Sequence, residues 1–317
     1  MSSSPQVSIL VPTYNRRRLL LEALNSILKQ SYTDFEVVVV DNCSPDDTEA
    51  AVRSLRDERV VYVRNEVNVG PVNNHNRALR LARGKYVYFF SDDDIMLEHN
   101  LARKVEIFEK YPSVGLVHSN INTIDGEGNT ISTGHWALGD IQQLMTNQPQ
   151  MPQATAFDLL YNRWNFLAMP TVVVRREILQ QNRLEMNNQL KYLYDWDLWM
   201  KVSLKTDFYY LDEVLVLYRA HATNDSNAFN SKLLFKEISL SKLGLLNLFD
   251  QDSLHGWDYL NEVSELVKKQ LKATNRYESY WHVKSLPMRN FLKENFSGAT
   301  VELLRKIRYG KLFSASK

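Results

Sequence analysis

The chain has 317 residues, of which 44% are hydrophobic and 24% are charged, and its net charge is +1. This balance is typical of a folded globular protein and excludes overall disorder. The single cysteine, Cys43, excludes an internal disulfide. No stretch approaches the about 18 apolar residues of a membrane-spanning helix, and the N-terminus lacks the basic start of a signal peptide. We therefore expect a cytoplasmic protein, with peripheral contact at the inner membrane face as an alternative.

The first 120 residues alternate between apolar runs and segments with helical spacing. VSILVP, FEVVVV and KYVYFF are rich in β-branched and aromatic residues, as buried strands are. Gly84 is predicted to end the third helix as its C-cap. The alternation predicts an α/β fold, a mostly parallel sheet of Rossmann-like βα units covered by helices on both faces. Strands are predicted at 7–12, 35–40, 60–64, 85–90 and 114–120, and helices at 19–28, 48–55, 73–83 and 97–110.

The pattern changes after residue 120. INTIDGEGNTIS predicts a hairpin, and MPTVVVRREIL predicts a strand followed by a helix. Residues 139–155 are rich in Gln, Met and Asn and predict a loop or lid. YLYDWDLWMKVSL has helical spacing, and DFYYLDEVLVLYRAH predicts short strands. From about residue 230 onward the chain reads as a helical extension.

We expect two domains, residues 1–228 and residues 229–317. Residues 281–317 carry eight Lys or Arg and two Glu, a net charge of +6, with aromatic residues and leucines between them. Such a segment could lie on an anionic membrane surface, which would suit a lipid-linked acceptor. The alternative is a helical cap that packs on the first domain and exposes its basic side chains.

Polar residues follow three of the predicted strands where each strand ends. They are Thr13-Tyr14-Asn15, Asp41-Asn42 and Ser91 to Asp94. Because ligands of open parallel sheets bind beyond the carboxyl ends of the strands, these residues are expected to meet in one crevice. Neither GxGxxG nor GxxxxGK[ST] occurs, so a nucleotide here would not be held in the usual Rossmann or P-loop manner.

The run YFFSDDDIML places three aspartates directly after a buried strand. Adjacent carboxylates repel one another unless a cation neutralises them, and Mg²⁺ or Mn²⁺ takes such oxygen ligands together with substrate phosphates. The alternative is a solvated turn in which an aspartate caps the helix that starts near Leu97. The run alone leaves both interpretations open.

Four motifs together resemble a known family, the family 2 glycosyltransferases. They are VSILVPTYNR, VVVVDNCSPDDT, NVGPVNNHNRALRLARGKYVYFFSDDDIML and YDWDLW, in this order and spacing. The resemblance covers roughly residues 6–225. It implies a GT-A fold and the inverting transfer of a sugar from a nucleotide-diphospho-sugar, by default a UDP-sugar, to an acceptor hydroxyl. It also implies Mn²⁺ or Mg²⁺ as cofactor, a saccharide or lipid-linked acceptor, and a role in cell-surface polysaccharide or glycolipid synthesis.

The resemblance also implies roles for individual residues. Asp195, the second residue of YDWDLW, would be the catalytic base; a structural helix N-cap is the alternative. Tyr194 and Ser91 stand where the family usually has acidic residues. The residues implied to contact the nucleotide are Pro12, Thr13, Tyr14, Asp41, Asn76 and Asp92, with Asn74 as a possible addition. The residues implied to hold the metal are Asp93, Asp94 and His221, although a lone histidine is as often structural.

Two rival functions remain at the level of sequence. A sugar nucleotidyltransferase would share the fold and the acidic site, but TYNRRR lacks the glycine of a triphosphate-binding loop. A catalytically decayed nucleotide- or carbohydrate-binding protein would fit the two non-acidic motif positions. Nucleic-acid binding is not expected: residues 231–317 hold fifteen Lys or Arg and nine Asp or Glu (+6), which leaves −5 for the first 230.

Overall fold

The computed structural model describes residues 4–135, 138–139, 141–163, 165–220 and 231–245. The chain divides into two compact units, Met1–Ala228 and Phe229–Lys317. Within the described part of the second unit lies one helix, α9 (Ser231–Gly244). No helix among the described residues is long and apolar enough to cross a membrane. The basic segment 281–317 lies outside these residues, so its membrane contact stays a prediction.

The first unit is built on one ten-stranded sheet. The predicted strands are confirmed, and the hairpin predicted at residues 121–132 is confirmed as the pairing of β6 with β7. The strands are β1 (Val7–Thr13), β2 (Phe35–Asp41), β3 (Val60–Arg64), β4 (Tyr86–Phe89), β5 (Ile95–Met96), β6 (Val114–Ile124), β7 (Thr130–Thr133), β8 (Gln150–Met151), β9 (Val173–Arg175) and β10 (Asp207–Arg219).

The sheet order is β3-β2-β1-β4-β9-β6-β10-β5, with β7 paired to β6 and β8 paired to β10. Strands β1 to β4 are mutually parallel, as are β6 and β10, while β9 runs antiparallel between β4 and β6. The mostly parallel α/β fold predicted from the sequence is therefore confirmed. All seven residues of β2 are buried, as expected for a strand covered on both faces.

The helices that cover the sheet are amphipathic. Helix α1 buries Leu20, Ala23, Leu24 and Ile27, which recur every three or four residues, and these join the core formed by the apolar strands. The helices of this unit are α1 (Arg17–Leu28), α2 (Thr48–Ser54), α3 (Pro71–Leu81), α4 (Asn100–Lys110), α5 (Ile141–Asn147), α6 (Gln153–Arg163), α7 (Arg176–Gln181) and α8 (Tyr194–Ser203).

Three predictions of local structure were wrong. The loop expected over 139–155 contains helix α5, strand β8 and the start of α6, because Ile141, Met145 and Met151 are buried. The short strands expected from residue 207 are one irregular 13-residue strand, β10. Gly84 is not a C-cap, since α3 ends at Leu81.

Gly84 instead allows a close approach of two backbone segments. A Cβ at this position would lie 2.5 Å from the backbone nitrogen of Ser8 and 2.8 Å from the carbonyl carbon of Val7. The backbone N–H of Gly84 donates to the Ser8 hydroxyl at 2.7 Å. The residue therefore keeps the start of β4 tight against β1.

Candidate active site

The carboxyl ends of β2, β1 and β4 lie side by side, and the loops that follow these strands make up the edge at which the sequence predicts a crevice. The register of β1 and β2 sets Thr13 opposite Asp41, the last residue of each strand. Beyond them, the backbone N–H of Asn42 donates to the Thr13 carbonyl at 2.9 Å. The loop after β1 turns through Asn15, whose φ of 53° is left-handed and whose N–H donates to Ser44 Oγ at 2.8 Å. Two of the three predicted strand ends are thus joined directly.

The acidic loop, Ser91–Asp94, closes the crevice on the β4 side. The Thr13 hydroxyl donates to Asp92 Oδ2 at 2.6 Å. Arg16 Nη1 donates to Asp92 Oδ1 at 3.2 Å and to Asp93 Oδ2 at 2.9 Å. Burial raises the pKa of Asp92 to about 6, and the charge of Asp93 adds to the rise, while Arg16 and the Thr13 hydroxyl oppose it. Arg16 therefore supplies a positive charge to two adjacent, largely buried carboxylates.

Asp94 has different partners from the two aspartates before it. Its side chain is fully buried, and Oδ1 accepts a hydrogen bond from the Arg219 backbone N–H at 2.7 Å. Burial, and next the charge of Asp93, raise the pKa of Asp94 well above its usual range. The Arg219 side chain donates through Nε to the Asp93 carbonyl at 2.8 Å and through Nη2 to Glu22 at 2.7 Å. Arg219 therefore ties the acidic loop to β10 and to α1.

The side chain of Asp41 is buried at the end of β2. Oδ1 accepts hydrogen bonds from the Ser44 N–H at 2.9 Å and from the Ser44 hydroxyl at 2.6 Å. Oδ2 accepts one from the Tyr62 hydroxyl at 2.6 Å, and Arg64 lies 3.6 Å away. Burial and the Asp41 carboxylate raise the pKa of Tyr62 well above its usual range. Asp41 thus orders the loop after β2, and its contact with a nucleotide stays a prediction.

The other residues predicted to contact the nucleotide lie in different elements and differ in burial. Pro12 lies in β1 opposite Val40, and Tyr14 is 46% exposed beside the crevice. Asn76 is buried in α3, and its carboxamide donates to the Met186 carbonyl at 2.8 Å and accepts from the Met186 N–H at 2.9 Å. In this structure Asn76 therefore anchors the segment before α8, and its nucleotide contact stays a prediction.

Asp195 stands in the first turn of α8. The helix begins at Tyr194 with Leu193 as N-cap, so the alternative of Asp195 as N-cap is wrong. Asn165 Nδ2 donates to Asp195 Oδ2 at 3.0 Å, and the Trp196 N–H donates to Oδ1 at 2.7 Å. Burial raises the pKa of Asp195 to about 6, against the effect of these two hydrogen bonds. The carboxylate is partly buried and is oriented by these two hydrogen bonds.

The rest of α8 is structural. Asp197 is fully buried and pairs with Lys201 one turn later, so it has no route to an acceptor from this position. Trp196 and Trp199 are fully buried, as expected for core residues. Trp199 packs edge-on against Phe89 with ring centroids 5.2 Å apart, which fixes α8 against the strand that leads into the acidic loop.

The acidic loop fits a divalent cation. Asp92 and Asp93 present carboxylate oxygens to one shared positive group, Arg16, which is the charge arrangement that a hard cation also satisfies. The described residues contain no group of three or more His, Cys, Asp or Glu side chains that could hold a metal. Phosphate oxygens of a ligand would have to complete the coordination. His221, the third predicted ligand, lies outside the described residues.

Two functional candidates were missed by sequence reasoning. From the sequence, Arg16, Arg17 and Arg18 are a solvated helix start, with phosphate contact as a minor alternative. The contacts of Arg16 with Asp92 and Asp93 were not predicted, although its position three residues after Thr13 in the first strand-end loop was a usable signal. Asn165 lies 30 residues before Asp195, and no local pattern marks it.

Comparison with known structures identifies the fold. Staphylococcus aureus TarS 1–349, in complex with UDP-GlcNAc, matches with a TM-score of 0.63 at 22% identity, over 90% of this chain and 77% of that one. A mannosyltransferase from Pyrobaculum calidifontis, in complex with GDP-Man and Mn²⁺, matches with a TM-score of 0.59 at 19% identity, over 95% and 81%. The fold is therefore that of the GT-A glycosyltransferases.

Sequence comparison adds the family. Residues 8–183, more than half of the chain, match the model of glycosyl transferase family 2. An uncharacterized glycosyltransferase of Nostoc sp. is 27% identical over 297 residues, 89% of this chain and 86% of its own. The chain belongs to glycosyl transferase family 2, as its motifs predicted, and the protein is a glycosyltransferase.

Proposed function

We propose that the protein transfers a sugar from a nucleotide-diphospho-sugar to an acceptor hydroxyl with inversion at the anomeric carbon. The observation that carries the proposal is the crevice in which Thr13, Arg16, Asp92 and Asp93 are hydrogen-bonded together at the carboxyl edge of the sheet. The donors named for TarS and for the Pyrobaculum mannosyltransferase support this donor class. A UDP-sugar is the default, and the two neighbours differ in their nucleotide.

The family resemblance assigned Asp92 to the nucleotide, but Arg16 Nη1 contacts the carboxylates of both Asp92 and Asp93, so we reassign Asp92 to the metal. Asp92 and Asp93 are then the residues that would hold Mn²⁺ or Mg²⁺, with the donor's diphosphate supplying further oxygens. When bound, such a cation neutralises the charge that develops on the diphosphate leaving group. The Thr13 hydroxyl holds the Asp92 carboxylate in place for it. The Mn²⁺ bound to the Pyrobaculum enzyme supports a divalent cation as the cofactor.

Asp195 is proposed as the general base. Its pKa of about 6 leaves it mostly ionised at pH 7 while keeping it a stronger base than an ordinary aspartate. Asn165 fixes one carboxylate oxygen, which leaves the orientation of the group defined before the acceptor arrives. Direct displacement by the acceptor oxygen inverts the anomeric carbon and needs no protein nucleophile.

The identity of the acceptor follows from the family resemblance alone. A saccharide or lipid-linked acceptor, and a role in cell-surface polysaccharide or glycolipid synthesis, therefore stay predictions. The membrane contact of residues 281–317 belongs with them. Flotation with anionic liposomes, comparing the full chain with one that ends near residue 280, separates membrane binding from a helical cap.

The first experiment is a thermal-shift panel with Mn²⁺ and each of UDP, GDP, CDP and dTDP, repeated with EDTA. A ligand that binds only the folded protein raises the melting temperature by mass action. We expect a metal-dependent rise with one nucleotide, and loss of that rise in Asp93→Asn. No rise with any nucleotide in the unmodified protein would contradict the proposed donor site.

The second experiment tests the base. With the donor sugars of the responding nucleotide and a panel of saccharide acceptors, Asp195→Asn is expected to bind nucleotide as before and to lose about 10²-fold or more in turnover. Retention of most of the turnover would exclude Asp195 as the base.

A further inference from the structure

Arg16 links the two carboxylates of the proposed metal site. Its Nη1 lies 3.2 Å from Asp92 Oδ1 and 2.9 Å from Asp93 Oδ2. The side chains of Asp92 and Asp93 are only 7% and 10% exposed, whereas that of Arg16 is 27% exposed. The carboxylates are therefore the enclosed part of the cluster, and Arg16 is its most exposed member.

A divalent cation and Arg16 draw on the same carboxylate oxygens. Two adjacent buried carboxylates are unfavourable without a positive group, and here Arg16 supplies that charge. A cation entering the site must displace the guanidinium from these oxygens, and the displaced guanidinium must then find another anion. The diphosphate of a donor is such an anion, since the planar fork of Arg matches phosphate oxygens.

We propose that Arg16 couples donor binding to metal binding. Its guanidinium neutralises Asp92 and Asp93 while no donor is present, and it turns to the donor's diphosphate when a divalent cation takes its place. The inference rests on the proposed function. Arg16 directly precedes α1, whose first backbone N–H groups also favour a negative group nearby. Metal alone should then bind weakly, and metal and diphosphate should bind together strongly.

The test is the affinity for Mn²⁺, measured by electron paramagnetic resonance of free Mn²⁺, first alone and then with saturating UDP or the diphosphate found in the thermal panel. Arg16→Met is expected to bind Mn²⁺ alone about tenfold tighter than the unmodified protein, because no cation has to be displaced. The enhancement of Mn²⁺ affinity by the diphosphate is expected to shrink by about tenfold or more, within the usual range of coupling between two linked sites.

Arg17→Met is the matched control. Arg17 pairs with Asp47 at 3.0 Å on the surface, so this variant removes the same charge one residue further along the chain. We expect both Mn²⁺ affinities of this variant to equal those of the unmodified protein. If Arg16 acted on the site only through its charge, Arg16→Met and Arg17→Met would change the two Mn²⁺ affinities alike. That result would overturn the proposal.

Further outcomes separate the inference from the proposed function. If the diphosphate still promotes Mn²⁺ binding in the unmodified protein, and Arg16→Met behaves like Arg17→Met, the coupling role of Arg16 is wrong and the donor site stands. If the diphosphate promotes Mn²⁺ binding in none of the proteins, both are wrong. Should Arg16→Met not fold, Arg16→Lys keeps the positive charge and removes the planar guanidinium. We expect this variant to lose only the enhancement of Mn²⁺ affinity by the diphosphate. An unchanged enhancement would overturn the coupling.

Discussion

Removing the hydrogen bond from Asn165 to Asp195 should move the pH dependence of catalysis upward. The Asn165 amide lies 3.0 Å from Asp195 Oδ2 and stabilises the ionised carboxylate. It therefore lowers the pKa of Asp195, against the burial that raises this pKa to about 6. In Asn165→Ala the lowering effect is lost, so the pKa of the base should rise further.

The size of the shift follows from the strength of a hydrogen bond to a charged group, about 1.5–3 kcal/mol. At 1.36 kcal/mol per pKa unit this amounts to about one to two units. Because Asp195 is only partly buried, water would replace part of the lost bond, and we expect a rise of about one unit. At pH 6 the ionised fraction would then fall from about one half to about one tenth, and kcat/KM about fivefold.

The assay is kcat/KM from pH 5 to pH 9 with the responding donor. Above pH 8 both proteins have an ionised base, so their rates should converge apart from a loss of orientation in the variant. Asn162→Ala is the control, since Asn162 makes the same kind of amide–carboxylate bond to Asp158 at 2.7 Å on the surface of α6. An acidic limb that stays in place in Asn165→Ala, or moves to lower pH, would refute the assignment of Asp195 as the base.

Three further predictions concern the crevice and the packing around it. Thr13→Val removes the hydroxyl that holds the acidic loop, and we expect about tenfold weaker Mn²⁺-dependent nucleotide binding by calorimetry. Gly84→Ala places a Cβ against the backbone of β1 and should lower the free energy of unfolding in urea by about 1–3 kcal/mol, whereas Gly126→Ala enters open space and should change it little. Asp197→Asn leaves the largely buried Lys201 without its ion pair, and should lower that free energy by about 1–3 kcal/mol while kcat of the folded fraction stays within a few-fold.

The parallel half of the fold was predictable because its signal is local. A run such as FEVVVV is apolar on both faces, and only a strand covered on both sides buries every residue of it. The prediction of a loop over residues 139–155 was wrong because the signal there is not local. Its few apolar residues, among them Met145 and Met151, are too sparse for a periodic pattern, and they are buried by elements that come later in the chain, such as β10.

The candidate site was predictable in its strand ends and not in its supporting contacts. Thr13 and Asp41 end β1 and β2, and Asp92 lies three residues after the end of β4, so the parallel topology alone brings them to one edge. Asn165 and Arg219 reach the site from sequence-distant segments, and their relevance depends on side-chain geometry that no spacing rule contains. The three consecutive aspartates are likewise identical in the sequence, and only the fold gives Asp94 different partners from the two before it.

That division yields a prediction about Asp94, which the family resemblance assigned to the metal together with Asp93. Asp94 is fully buried, and its Oδ1 accepts the Arg219 backbone N–H at 2.7 Å. An asparagine at this position keeps a carbonyl oxygen for that bond and the same shape. Asp94→Asn should therefore leave the affinity for Mn²⁺ with nucleotide within about threefold, whereas Asp93→Asn removes a charged ligand and should weaken it about tenfold or more.

Calorimetry of the two variants, with saturating nucleotide and increasing Mn²⁺, distinguishes anchoring from ligation. If Asp94 anchors the acidic loop to β10, Asp94→Asn changes the free energy of unfolding and leaves the affinity for Mn²⁺ with nucleotide nearly intact. If Asp94→Asn loses as much affinity as Asp93→Asn, then Asp94 is a ligand as the resemblance implied. In that case the bond to Arg219 must open when metal binds, and the end of β10 must shift with it.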